Sequence, residues 1–447
     1  MELASLALSI ALQAIALALL LYAVAAVIVL LKGCYVLRRL ARVSSRDDTL
    51  VLLKSPMVPQ ISVVVAAEDA RPETRTLVRR LLDLHSAHHE VVLALRGVPP
   101  ADLEIWKQEF RLFPTTRDVQ ARGVFEAQPP TRLLVLDLEP TGEPQALNAA
   151  VQAAGGSVIG CLDPHAELSP EALLRLLRPM LEAPQQIVAC CGTAPPPSVP
   201  GLAGRFAAIE ALRVWLVRCA AFTAWDMIIP VPGAGLLVSR EALLEVGGFT
   251  AGRLELTLQL HGRARTAGKP YHVAFLPEPV SYLPAPRSLP ELHTTVDRDQ
   301  QGLAAAWRRR ADIAGGAYAI GWGMPALVVS RLVRPLVETL AYLLLIAGVA
   351  LRMVPWELAV LLLLCTVGAG TLISMTTVVL RELAEYHGTD PSELASLFFA
   401  AIPENFGYRQ LRNLWLIAAF FRKDAKKESR EVASGAHNSA AAISKEK

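Results

Sequence analysis

The sequence predicts an α/β sheet domain held between membrane helices, on three observations. From Leu3 to Leu31 no residue is charged. Between about Ser44 and Arg310, short β-rich runs alternate with apolar residues at helical spacing. Beyond Arg310 the composition turns lipid-like again. At 447 residues and 53% hydrophobic content, the chain is too long for one ordinary domain and too apolar for a wholly soluble one.

At about 1.5 Å per residue, the first apolar run is long enough to cross a hydrocarbon core of roughly 30 Å. A cleaved signal peptide is the rival reading, because Ala23, Val24 and Ala25 resemble a small-residue cleavage site. Against it, the start carries Glu2 and no basic residue, and the run ends on Lys32, Arg38, Arg39 and Arg42, as a retained anchor does. That basic flank places the following domain in the cytoplasm. A net charge of +3 implies no nucleic-acid partner, and the flank needs only anionic lipid, so the bilayer is the first partner. Cys34, Cys161, Cys190, Cys191, Cys219 and Cys365 show neither metal-ligand nor disulfide spacing, which suits a reducing compartment.

Four strands are read in order: "ISVVVAAED" from Ile61, "HEVVLALRG" from His89, "TRLLVLDLEP" from Thr131 and "GSVIGCLD" from Gly156. Helical patterns such as "RPETRTLVRRLLDL" separate them, which is the habit of a parallel-type, nucleotide-binding sheet. Ligands in such sheets sit beyond the carboxyl ends of the strands, so the turns there carry the chemistry. The helix near Arg205 to Phe222 has one apolar face, and packing or membrane contact explains Trp215 and Trp225.

Past the sheet, Leu358 to Leu380 is long enough to cross once, and Pro335 to Leu351 is a shorter partner for a hairpin whose outer loop is "RMVPWE". Ile313 to Ser330 is expected to lie in the interface, because four glycines, Pro325, Arg331 and Arg334 disfavour a span. Leu394 to Phe421 is broken at "IPENFGYRQ" into two interfacial pieces, and the last stretch is a polar, disordered tail. The expected divisions are 1–43 for the anchor, 44–312 for the sheet domain, 313–421 for interfacial helices and hairpin, and 422–447 for the tail.

The order of "ALNAAV", "LDPHAELSP", "PGAGLLVSREALLEVGGF", "LHGRARTAGKPYHVAFLPEPVSY" and "ENFGYRQL" resembles the membrane-anchored family 2 glycosyltransferases of bacteria, the group related to cellulose, hyaluronan and poly-N-acetylglucosamine synthases. The resemblance runs from about Gln60 to Phe421. It implies a GT-A-like fold, a bacterial-type inner (plasma) membrane location and a nucleotide-sugar donor with Mg or Mn. It also implies a set of acidic motifs, and these are altered. Leu95 and Arg96 stand where an aspartate would hold the base. Glu143 stands where a lysine would precede the "ALNA" framework. Asp163 remains of an Asp-x-Asp metal turn whose second carboxylate is His165. Gly252 and Arg253 fall on the Glu-Asp pair that would supply the base, with Glu255 the nearest carboxylate. Of a Gln-x-x-Arg-Trp motif only Arg298 remains, between Asp297 and Asp299.

Sugar transfer with inversion needs a carboxylate to take the acceptor proton and a cation to neutralise the departing diphosphate. A guanidinium stays protonated at working pH, so Arg253 replaces the expected base without its chemistry. One carboxylate with an imidazole is a weak donor set for a hard cation, although His165 can ligate manganese. Each residue also has a plainer reading. Asp163 could begin the turn and cap the helix opened by "SPEAL", and His165 could be a solvated side chain. Glu255 could sit in a salt bridge, and Arg298 could be held by its neighbouring aspartates rather than by phosphate. The altered polarity at Glu143 and Arg253 suggests a pocket remade for another ligand or closed by an internal ion pair.

Two functions follow. The first is a catalytically impaired relative, retained in the membrane as partner or regulator of an intact glycosyltransferase or of polysaccharide export components. The second is an active enzyme using Asp163 and His165 on the metal, Glu255 as base and Arg298 on the diphosphate. A transporter lacks support, because spans are few and no ion pair is expected within them.

Overall fold

The computed structural model describes residues 2–41, 58–68, 71–85, 88–162, 167–184, 186–192, 201–225, 227, 235–250, 253–266, 272–276, 280–282, 284–313, 322–384 and 390–422. A long first helix, α1 (Glu2–Ala41), leads to a mixed sheet with helices on both faces. The strands are β1 (Ile61–Ala67), β2 (His89–Arg96), β3 (Leu112–Pro114), β4 (Gly123–Ala127), β5 (Leu133–Leu138), β6 (Val158–Leu162), β7 (Glu167–Leu168), β8 (Ile187–Cys191), β9 (Gly235–Ser239), β10 (His272–Phe275) and β11 (Ser281–Tyr282). Nine of them form one sheet in the order β10-β8-β9-β6-β1-β2-β5-β4-β3, while β7 and β11 pair separately.

The four strands read from sequence are the parallel centre of this sheet, β6, β1, β2 and β5. Their near-continuous apolar runs are buried on both faces, as parallel strands under helices must be. Alternate residues serve opposite cores: Val64 and Val92 point into one, Val63, Val65, Val91 and Leu93 into the other. Antiparallel β9 and the β3–β4 edge complete the sheet, so it is mixed rather than purely parallel.

Helices between the strands are α2 (Pro72–Leu82), α3 (Pro100–Phe110), α4 (Glu143–Ala153) and α5 (Ala172–Glu182). Leucines at helical spacing put one face of α5 into the core, where Leu173, Leu176 and Leu177 are buried. Helix α6 occupies 201–224, with a π-helical stretch at Arg213–Cys219. Trp215 of α6 is core, its indole N–H donating to the Leu276 carbonyl at 3.3 Å, whereas Trp225 is exposed. Leu37 of α1 joins the core on that same side of the sheet, which marks the membrane side of the domain.

Next come α7 (Arg240–Glu245), α8 (Arg253–Thr266), α9 (Leu289–Ile313), α10 (Gly323–Ala350), α11 (Trp356–Ala384), α12 (Pro391–Pro403) and α13 (Arg409–Phe421). Among the described residues, three helical stretches are long and apolar enough to cross a membrane: Gln13–Arg39, Gly323–Ala350 and Ala359–Glu382. The middle one corrects two expectations. Residues 323–330 are not a separate interfacial helix but run through a π-helical stretch, Val329–Val333, into the expected hairpin arm. An ion pair does lie inside a candidate span, because Arg334 and Arg409 both meet Glu338, at 3.5 and 2.9 Å. Sharing Glu338, four residues on from Arg334 along the same helix, is what lets a charge sit there.

The break at "IPENFGYRQ" is real. Between α12 and α13 the helix is π-like over Glu404–Tyr408, and Phe406 and Gly407 leave helical geometry, Gly407 with φ of 110°. Only glycine takes that φ without strain. Glu404, Asn405 and Tyr408 are buried at the break, where the Asn405 amide donates to the Ala401 carbonyl at 2.9 Å and Gln410 Oε1 accepts from the Gly407 N–H at 2.7 Å, side-chain bonds that stand in for those the helix loses.

Candidate functional site

The carboxyl ends of β1, β2 and β5 lie together, and the charged groups there are paired with each other. Arg96, at the end of β2 where an aspartate would hold a base, meets Glu68 just past β1 at 2.7 Å and donates to the Thr141 carbonyl at 3.3 Å. Arg122 donates to Asp137 of β5 at 2.6 Å and to the Val98 carbonyl at 3.4 Å. The ion pair seen at the strand ends is thus Arg96–Glu68, while the pairing raised for Glu143 and Arg253 involves a side chain, that of Arg253, outside the described residues. Glu143 opens α4, exposed, where a carboxylate favours the positive end of the helix.

On α4, Asn148 of the "ALNA" framework bridges backbone. Its amide nitrogen donates to the Phe249 carbonyl at 2.8 Å and its Oδ1 accepts from the Phe249 N–H at 2.7 Å. This ties the "GGF" turn, and so the start of α8, to the helix after β5. The framework thus holds the cleft's walls whatever the cleft does.

Arg253 begins α8 at the backbone level, and its side chain lies outside the described residues. Glu255, in the same first turn, is only 3% exposed. Arg309 of α9 donates to its two oxygens at 3.1 and 3.4 Å, and the Thr250 hydroxyl stands at 3.5 Å. Of its two sequence readings, the salt bridge is the one the geometry contains. Arg298 is exposed on the same α9 as Arg309, about 16 Å along the helix. Its neighbour Asp297 pairs with Arg422 at 2.6 Å and faces His293 at 3.9 Å.

Asp163 and His165 lie outside the described residues. The capping reading of Asp163 is corrected, since β7 intervenes and α5 begins at Ala172 with Glu171 at its cap. Arg309 and Glu68 were not singled out from sequence. Their signal was faint, one among three consecutive arginines in "WRRR" and one in the acidic pair closing "AAED".

A second polar centre lies on the membrane side. Glu210 of α6 meets Arg412 and Arg213, the latter at 2.9 Å, and Arg213 also donates to Glu404 at 2.5 Å. Burial pushes the Glu210 carboxyl up, but Arg412, Arg213 and Arg331 outweigh it and hold it well below the usual carboxylate range.

Residues 62–201 match the model of Glycosyl transferase family 2. A mannosyltransferase from Pyrobaculum calidifontis, solved with GDP-Man and Mn2+, is similar over 89% of this chain and 99% of its own, at 17% identity and a TM-score of 0.51. A glucosyl-3-phosphoglycerate synthase from Mycobacterium tuberculosis, solved with Mn2+ and UDP, matches over 60% of this chain and 84% of its own, at 16% identity and a TM-score of 0.36. No curated protein sequence matches. The chain therefore carries a family 2 glycosyltransferase-like domain of GT-A fold, joined to helices long and apolar enough to cross a membrane.

Proposed function

We propose that this protein is a catalytically impaired family 2 glycosyltransferase relative, held at the membrane with its sheet domain in the cytoplasm. There it serves as partner or regulator of an intact enzyme of polysaccharide or glycolipid synthesis. The observation that carries this reading is Glu255. It is the carboxylate nearest the missing base, and it is buried against Arg309 rather than open to an acceptor hydroxyl. A general base must reach the proton it takes, and a carboxylate beside a guanidinium is a weaker base. The Arg96–Glu68 pair adds support, because it sets an ion pair, in place of a free aspartate, at the strand ends where a nucleotide base would lie.

The fold family implies a divalent cation. The metal turn offers one carboxylate, Asp163, and one imidazole, His165, and the described carboxylates at the strand ends, Glu68 and Asp137, each face an arginine. That donor set does not fit a hard cation that prefers several free oxygens, and the proposed role needs none.

Membranes containing the full chain, incubated with labelled UDP- and GDP-sugars plus manganese, test the reading. Transfer is expected to equal that of membranes lacking the protein, and Asp163→Ala and Glu255→Gln are expected to change nothing. Turnover that either substitution abolishes would overturn the proposal in favour of an active enzyme.

A further inference from the structure

Three π-helical stretches occur among the described residues: Arg213–Cys219 in α6, Val329–Val333 in α10, and Glu404–Tyr408 between α12 and α13. Such turns are rare and collect at functional sites. Each is gripped here from another element. Arg213 donates across to Glu404 at 2.5 Å, which joins the first stretch to the third. Gln300 of α9, fully buried, donates to the Arg331 carbonyl of the second at 3.0 Å.

The third stretch and the residues just after it hold two bodies at once. Toward the membrane, Arg409 donates to Glu338 of α10 at 3.1 Å, and Gln410 donates to the Tyr342 hydroxyl at 3.3 Å, which itself donates to Glu338 at 2.9 Å. Tyr342 lies about 12 Å inside the Ala350 end of that candidate span. Toward the sheet domain, Glu404 and Ser374 of α11 both accept from Arg213 of α6. Asn405 closes the middle, accepting from Arg409 at 3.2 Å and donating to Ser374 at 3.1 Å. An unbroken chain of side-chain hydrogen bonds therefore runs from inside α10, through the break, to α6. That helix is tied in turn to the sheet, since Trp215 donates to the Leu276 carbonyl just past β10.

Glu338, Ser374, Glu404 and Asn405 are each no more than 1% exposed, so a member that lost its partner would find no water in its place. A buried network of that kind is held whole or opens as a unit, whereas apolar faces can slide past one another. Gly407, at φ of 110°, supplies a joint at which the break can change its angle. We propose that the break is a coupling latch, by which the seating of the α10–α11 hairpin in the bilayer sets the packing of α6 against the sheet domain. A partner that shifted the hairpin would thereby be registered in the sheet domain. That consequence rests on the partner role proposed above, and the latch itself does not.

Hydrogen–deuterium exchange of the full chain in a non-ionic detergent, read by mass spectrometry, tests the latch without recourse to sugar transfer. Tyr342→Phe removes one hydroxyl and little volume, at the end of the chain of bonds away from α6. It is expected to raise exchange about three-fold or more at residues 404–409 and also at residues 213–224 of α6. Leu343→Ala, one position on and 60% exposed, is expected to leave both as in the wild type. Unchanged exchange in α6 with Tyr342→Phe, or an equal rise there with Leu343→Ala, would overturn the proposal. A thermal double-mutant cycle pairs Tyr342→Phe with Arg213→Gln, or with Ser374→Ala should Arg213→Gln not fold. Tyr342 shares no direct bond with either residue, so independent sites would give additive shifts of Tm. The double variant is expected to lose clearly less than the sum of the two single losses, and additive shifts would overturn the latch.

Discussion

Asn148 and Glu255 both owe their roles to residues far away in sequence, Phe249 and Arg309. Asn148→Ala leaves the Phe249 N–H and carbonyl without their side-chain partner, and is expected to cost about 1–3 kcal/mol, read from the shift of a denaturant midpoint. Glu255→Gln removes charge from a buried carboxylate, but Arg309 is 45% exposed, so solvent screens the pair. The expected loss is about 1–2 kcal/mol by the same measurement. The residue types at these positions were legible in the sequence, through the "ALNA" match and the missing base. Their partners were not, because a helix-period pattern tells which face is buried and says nothing of which distant guanidinium will lie against it. The Arg96–Glu68 pair was hidden for the same reason, since two strand ends adjacent in space are separated by a full strand-helix-strand unit.

The broken helix α12–α13 and the helix α11 show what an element's sequence can and cannot disclose. The break was legible, because a polar run interrupts two apolar pieces and Gly407 permits the turn. The continuity of α10 was not, because Arg331 and Arg334 read as an interfacial boundary until Glu210 and Glu338 are seen beside them. The short β3–β4 edge was missed since three to five residues carry too little alternation to register. At Gly370 of α11 an added Cβ would collide with Arg409 and Asn405 of the break. Gly370→Leu is accordingly expected to push the break away from α11, lowering Tm in detergent, while Gly368→Leu, with open space around it, is expected to leave Tm nearly unchanged. The Glu210 clamp gives a pH dependence. Its folded pKa lies below the unfolded value, so its contribution to stability is full above the usual carboxylate range and is lost as pH falls through the folded pKa. Wild-type stability is expected to drop more steeply than that of Glu210→Gln below about pH 4.5, measured by thermal unfolding across an acid series.

At the scale of the whole molecule, a domain that keeps its packing and its ties to membrane helices while its chemical groups are engaged elsewhere is suited to being held in place and recognised. The fold class was legible because buried parallel strands and membrane helices are both written in apolar runs, and only the antiparallel strands departed from it. The proposed topology has α1, α10 and α11 cross, which would put the sheet domain and the end of α13 on one side and the loop at Met353 on the other. A Met353→Cys substitution, in a chain with Cys34 and Cys365 changed to serine, is expected to react with an impermeant maleimide in intact cells. Reaction only after permeabilisation would reverse the topology. The central claim concerns the cleft itself, and calorimetric titration of the purified full chain with UDP- and GDP-sugars in the presence of manganese tests it most directly. The expected result is no saturable heat up to millimolar donor, whereas a clear binding isotherm would contradict the account.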